Sequence, residues 1–141
     1  MVVASYVIRD TSDDAISMVA FGLTTDGAAT AAQTIRIYND GDATPAELLL
    51  AALTSNGNFA GDRNNQGQEA VTEKWLEAST DGGSTWTAIG GDPLTPANVL
   101  SLTPPAAGAY IDVQLRLNMP ATPTTSGNFA VIPCLFWPVE T

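Results

Sequence analysis

The sequence predicts an all-β protein, an antiparallel β-sandwich of immunoglobulin-like or jelly-roll type. Three observations carry that prediction. Apolar and polar residues alternate with a period of two, most cleanly over residues 110–119, where Ile111, Val113, Leu115, Leu117 and Met119 interleave with Asp112, Gln114, Arg116 and Asn118. Turn-forming clusters separate the alternating runs: Asp26-Gly27, Asn39-Asp40-Gly41-Asp42, Asn56-Gly57-Asn58, Asp81-Gly82-Gly83, Gly90-Gly91-Asp92-Pro93 and Pro104-Pro105. The composition, 45% apolar but only 14% charged, gives the chain a core to bury and leaves its surface to Thr, Ser, Asn, Gln, Ala and Gly.

Taken in order, strands are expected over residues 2–9, 16–23, 34–39, 74–79, 85–89, 110–119 and 129–136. Seven short strands at this spacing describe a sandwich. Residues 45–53 are ambiguous. Thr44-Pro45-Ala46-Glu47 has capping-box spacing with proline at the first helical position, which predicts one short helix through Leu48-Leu49-Leu50-Ala51-Ala52-Leu53. The same run is apolar on every side and flanked by turns, which equally describes a strand buried on both faces. Residues 56–68, with three glycines, four asparagines and Phe59, read as an exposed loop. Residues 121–127 form a Pro/Thr-rich connection, and Pro120 ends the preceding ladder. A chain of 141 residues is expected to make one domain, since roughly two-thirds of its unfolded surface is buried on folding at this length.

Charge narrows the functions. Fifteen acidic against five basic residues leave −10, and a field of that sign repels phosphate, which disfavours nucleic acid. Residues 1–10 lack a basic leader followed by an apolar stretch, and no 18 apolar residues run together, so neither export nor a membrane anchor is expected. The single cysteine, Cys134, stands among Ile132, Leu135 and Phe136 and reads as a small core residue rather than a reactive thiol.

Catalysis is disfavoured by the absence of histidine, which removes Ser-His-Asp, Cys-His and histidine-bearing metal chemistry. A glycosidase needs only two carboxylates, but Asp13, Asp14, Asp26, Asp40, Asp42, Asp62 and Asp92 mostly adjoin turn residues and read as solvated turn caps. No Gly-Lys pair exists to build a phosphate loop. Asp40-Gly41-Asp42 and Asp62-Arg63-Asn64-Asn65 offer oxygen ligands of the kind calcium takes, but neither has EF-hand spacing, and no cofactor is expected.

Two local patterns carry structure. Ser79-Thr80-Asp81-Gly82-Gly83-Ser84-Thr85-Trp86 resembles the Asp box of sialidase-like propellers, but it occurs once, and a propeller repeats it at blade spacing. It reads as a tight hairpin in which Asp81 accepts turn N–H groups, Gly82 and Gly83 turn left-handed, and Trp86 packs back onto Trp75 or Leu76. Leu102-Thr103-Pro104 followed by Gly108-Ala109-Tyr110 resembles the tyrosine corner of immunoglobulin-like sandwiches. That resemblance implies a Tyr110 hydroxyl bonded to upstream backbone and Trp75 as the core tryptophan, without an inter-sheet disulfide.

What remains is an acidic, histidine-free sandwich with material for packing. Ile35-Arg36-Ile37-Tyr38-Asn39-Asp40-Gly41, then residues 71–79, the hairpin, and residues 110–120 are together similar to the small β-sandwich virion proteins of tailed bacteriophages. The resemblance implies a capsid decoration (cement) protein on the outer capsid surface, or a related head or tail component. Its partners would be the major capsid protein and copies of itself, with a trimer expected. The candidate interface residues are Val2, Val3 and Tyr6 near one terminus and Phe136 and Trp137 near the other. The bland reading is that both termini complete their own sandwich. The rival function is a carbohydrate-binding module using Trp86, Trp137, Tyr38 and Tyr110 as stacking rings. Exposed coplanar rings on one sheet face would favour sugar, and buried rings with an extended arm would favour assembly.

Overall fold

The structure is a computed structural model, and it describes residues 4–16, 27–54, 73–90, 96–122 and 131–138. Among these, eight strands follow in chain order: β1 (Tyr6–Arg9), β2 (Gln33–Asn39), β3 (Leu48–Thr54), β4 (Leu76–Ser79), β5 (Thr87–Ile89), β6 (Leu100–Leu102), β7 (Tyr110–Leu117) and β8 (Val131–Phe136). A 3-10 turn, Pro96–Asn98, precedes β6. The strands form two antiparallel sheets, a five-stranded one in the order β1-β2-β7-β4-β5 and a three-stranded one in the order β6-β3-β8.

The pairing is nested. β2 pairs with β7, β3 with β6 and β4 with β5, so the chain between β2 and β7 runs as one long antiparallel ribbon whose tip is the β4–β5 hairpin. Rolling the ribbon sets β4 beside β7, while β8 pairs with β3. Among the described strands this nesting is that of a jelly-roll ribbon, one of the two sandwiches the sequence allowed. An immunoglobulin-like sandwich sets its second strand beside its fifth, whereas here β2 lies between β1 and β7.

Alternation explains which side each strand buries. Ile35 and Ile37 of β2, Val113 and Leu115 of β7, Leu76 and Ala78 of β4 and Ile89 of β5 point inward from the larger sheet. They meet Leu48, Leu50 and Ala52 of β3 and Leu102 of β6, and the resulting cluster is the core. Gly90 closes one side of the sandwich: its carbonyl accepts from the Ala52 N–H at 2.9 Å and its own N–H donates to the Asn98 carbonyl at 2.8 Å. On the other side Tyr6 and Ile8 of β1 and Leu135 and Trp137 at the end of the described chain pack against the core.

The short helix near 45–53 is corrected to strand β3. Leu48–Thr54 is paired on both sides, with β6 and with β8, and Ala51 is fully buried although it faces away from the core residues Leu50 and Ala52. A run that is apolar on every side fits a central strand covered on both faces, whereas a helix would leave one side in water. β6 escaped sequence reading because Leu-Ser-Leu is too short to show a period. Of the strand expected over 16–23, only Ile16 is described; its N–H donates to the Ile8 carbonyl at 3.0 Å. The loop at 56–68 lies outside the described residues.

Candidate functional site: the outer face of the five-stranded sheet

The residues that alternate with the core set cover the other side of the larger sheet, and the register arranges them in rows. Tyr38 and Tyr110 are partners across β2 and β7, with Val7 of β1 beside Tyr38. The next row holds Arg9, Arg36 and Asp112. Then come Thr34, Gln114 and Ser79, and finally Arg116, Glu77 and Ala88. Neighbours within a row stand about 5 Å apart and rows about 7 Å apart, the spacing of a pleated sheet.

Guanidinium groups and rings interlock across these rows. Arg9 lies 4.2 Å from the centroid of Tyr38, Arg36 lies 3.9 Å from that of Tyr110, and Arg116 lies 4.1 Å from that of Trp86. Each guanidinium is also paired with a carboxylate. Arg116 Nε donates to Glu77 Oε1 at 2.7 Å and Arg36 Nε to Asp112 Oδ1 at 3.1 Å. Asp13, on the turn after β1, sits 3.4 Å from Arg9 and 3.8 Å from Arg36, bridging two like charges that the register sets side by side. The turn places Asp13 there with a left-handed backbone, φ 71°, and is held by the Asp10 carboxylate, which accepts from the Ser12 and Asp14 N–H groups. The hydrogen bond to Asp112 raises the pKa of Arg36, so this guanidinium stays charged. Three arginines against Asp13, Asp112 and Glu77 cancel, and the entire −10 of the chain is carried elsewhere.

One end of the face is tied down by Asn39, which is fully buried. Its Nδ2 donates to the carbonyls of Ala43 at 2.8 Å and Pro105 at 3.0 Å, and its Oδ1 accepts from the Gly41 N–H at 3.0 Å. Its backbone bonds Ala109 and Gly108, locking the approach to Tyr110. This corrects the expected tyrosine corner: Tyr110 is 48% exposed on the outer face beneath Arg36, and a buried asparagine joins the two connections instead. Trp75 is buried but lies outside the core cluster between the sheets.

The hairpin at 79–86 closes the opposite edge. Ser79 Oγ donates to Asp81 Oδ1 at 2.7 Å and accepts from the Gly83 N–H at 2.9 Å. Asp81 accepts from the Thr85 hydroxyl at 2.5 Å and from the Thr85 N–H at 2.9 Å. These Thr85 bonds, with that from Ser79, hold the Asp81 carboxyl down at about 2. Gly82 and Gly83 are left-handed, φ 73° and 91°. A Cβ at 83 would press on Gln114 Oε1 at 3.0 Å and lie in ordinary contact with the Trp86 ring at 3.5 Å. Trp86 therefore stacks over Gly83 and under Arg116 on the outer face, rather than on Leu76, which points into the core.

The other named residues lie elsewhere. Tyr6 and Trp137 meet edge to face, centroids 4.9 Å apart, and both pack on the core. Burial raises the pKa of the Tyr6 hydroxyl, which no partner reaches among the described residues. Phe136 is half-buried at the Leu49 position of the smaller sheet's outer side, and Cys134 is half-buried opposite Ala51, its thiol pushed up by desolvation. Val2 and Val3 lie outside the described residues. Among the described residues, no group of three or more Cys, Asp or Glu side chains could hold a metal ion.

No protein-family model matches this chain, and neither does any curated protein sequence. Function must therefore be argued from the face itself. Sequence reading passed over Arg9, Arg36 and Arg116 as a group; the local signal is limited to Arg36 and Arg116, which stand two residues from Tyr38 and Gln114 on alternating strands, and the register supplies the rest.

Proposed function

We propose that this protein is a structural subunit of a tailed-bacteriophage virion, a decoration protein that binds the outside of the head and stabilises it. The observation that carries the reading is the composition of the outer sheet face. Tyr, Trp and Arg are the residues on which protein contacts most depend, and here three arginines and three rings are held in place, all but Trp86 of the hairpin on strands. The face is electrically balanced on a chain of −10, so it is where another large surface approaches at least cost. Cementing needs no reactive group. Apolar burial at about 25 cal/mol per Å², less the cost of docking, opposes internal pressure when repeated over many sites.

Co-sedimentation of the purified protein with capsids that lack it tests the reading. Saturable retention on the particle supports it, and a protein that stays in the supernatant with every head and tail fraction refutes it. Carbohydrate binding is the second reading, favoured by Tyr38, Tyr110 and Trp86 sharing one face. It ranks lower because a guanidinium already occupies one stacking side of each ring. Glycan-array binding by the isolated protein would reverse that order.

A further inference from the structure

We propose that the occupant of the arginine–aromatic face is a second copy of this chain, docked about a two-fold axis that runs along the strands between β2 and β7. The inference deepens the reading of this face as a protein contact and rests on it. It comes from the register. Three successive rows across β2 and β7 pair Tyr38 with Tyr110, Arg36 with Asp112 and Thr34 with Gln114.

A two-fold axis midway between those strands exchanges the two members of every row. Arg36 of one copy then faces Asp112 of the other, and Tyr38 faces Tyr110. Thr34 faces Gln114, and each contact occurs twice. No like charges face each other: Arg36 meets Asp112, the tyrosine row meets tyrosines, and the row of hydroxyl and amide meets its hydrogen-bonding complement. Tyr110, 48% exposed in the single chain, becomes covered.

The charge distribution selects the same face. Two chains of −10 repel each other, and among the described residues it is here that six interlocked charges cancel. The repulsion acts over a Debye length of about 8 Å at physiological salt, so added salt weakens it while the short-range contacts across the axis survive. Self-association through this face is therefore promoted by salt, opposite to a contact driven by net charge. Size sets the strength. Five strands about 4.8 Å apart and four rows about 7 Å apart give a patch of roughly 500 Å² per copy, or about 1,000 Å² in all, at the lower limit for a specific interface. A weak dimer is expected, and the range from about 1 μM to 1 mM is where it is sought.

Sedimentation equilibrium of the full chain across that concentration range reads the result. The expected outcome is a monomer–dimer equilibrium that shifts toward dimer as salt rises from low to physiological strength. Arg36→Glu and Asp112→Arg each weaken self-association about tenfold or more, because each sets like charges across the axis. An equimolar mixture of the two forms a mixed dimer. The glutamate introduced in one variant then meets the arginine introduced in the other, and the Asp112 kept by the first meets the Arg36 kept by the second. Recovery on mixing cannot arise from a folding defect. Thr34→Arg, which leaves every ion pair in place and crowds Gln114 across the axis, also yields monomer with an unchanged melting curve.

A chain that stays monomeric to millimolar concentration overturns the proposal. So does a trimer, a dimer indifferent to all three substitutions, or two well-folded variants that fail to recover on mixing. Capsid co-sedimentation is scored separately. If self-association holds and retention on capsids fails, only the virion reading falls, and the converse result removes only this contact.

Discussion

Replacing Asn39 by alanine removes the side chain that holds one end of the candidate face. The residue is fully buried, and its side chain makes three hydrogen bonds at 2.8–3.0 Å, to the carbonyls of Ala43 and Pro105 and from the N–H of Gly41. Three ordinary bonds are worth about 3 kcal/mol net, and a stranded buried carbonyl adds about 1–3 kcal/mol, so Asn39→Ala costs roughly 4–6 kcal/mol. For a chain of this length about 1 kcal/mol lowers Tm by roughly 3 °C, which predicts a drop of about 12–18 °C. Urea melts monitored by tryptophan fluorescence measure it, with the midpoint falling and the slope unchanged. Asn39→Asp separates bonding from volume. It keeps the acceptor for Gly41 but aims a carboxylate at two carbonyls, so its folded pKa is raised. The folded state then binds more protons than the unfolded one, and stability of this variant falls as pH rises through that window. A loss under about 1 kcal/mol for Asn39→Ala, or a flat pH response for Asn39→Asp, would show that Asn39 does not join the two connections.

Four further outcomes follow. Asp81 titrates near 2, below its ordinary 3.8, so its contribution is complete above about pH 4 and is lost as pH falls toward 2; carboxyl chemical shifts, with hydrogen exchange at the Thr85 and Gly83 amides, should show both. Leu115→Ala opens a cavity between the sheets at a fully buried position and lowers stability by about 2–5 kcal/mol in the same urea melts. Arg116→Met keeps the stem but removes the guanidinium from Glu77 and from Trp86; it should shift the Trp86 emission and lower stability by about 1–2 kcal/mol, and an unchanged spectrum would contradict the stack. Cys134, its thiol raised by burial, should react with a disulfide reagent at pH 8 about tenfold more slowly in the folded chain than in urea.

The parts of the fold that were legible are those whose signal is local. Strands β2, β4 and β7 bury one face, so alternation survives in residues 33–39, 76–79 and 110–117. The tip at 79–86 was legible because its chemistry lies within eight residues. β3 was not, because a strand covered on both sides has no alternation and its apolar run matches a helix equally well. The choice between jelly roll and immunoglobulin-like order was also closed to the sequence, since it depends on which distant strands become neighbours. The face was missed for the same reason. Arg36 and Asp112 are 76 residues apart and Arg116 and Glu77 are 39 apart, and only the register makes them partners. Tyr110 shows how a local pattern misleads: Leu-Thr-Pro upstream of a Gly-Ala-Tyr strand start resembles a corner, but the tyrosine falls at an outward position and Asn39 makes the connection.

That dependence on register has a consequence for assembly. β2 and β7 lie at the two open ends of the nested ribbon, so their ladder closes the longest loop of the nested set and carries its highest closure entropy. Until it closes, Arg36 is separated from Asp112 and Tyr110, whereas Arg9 already has Asp13 four residues away. Closing the β2–β7 ladder sets Arg36 against Asp112 and Tyr110 and so completes the neutral face. The hairpin at the ribbon's tip, stabilised by its own local bonds, is the element from which that closure can propagate.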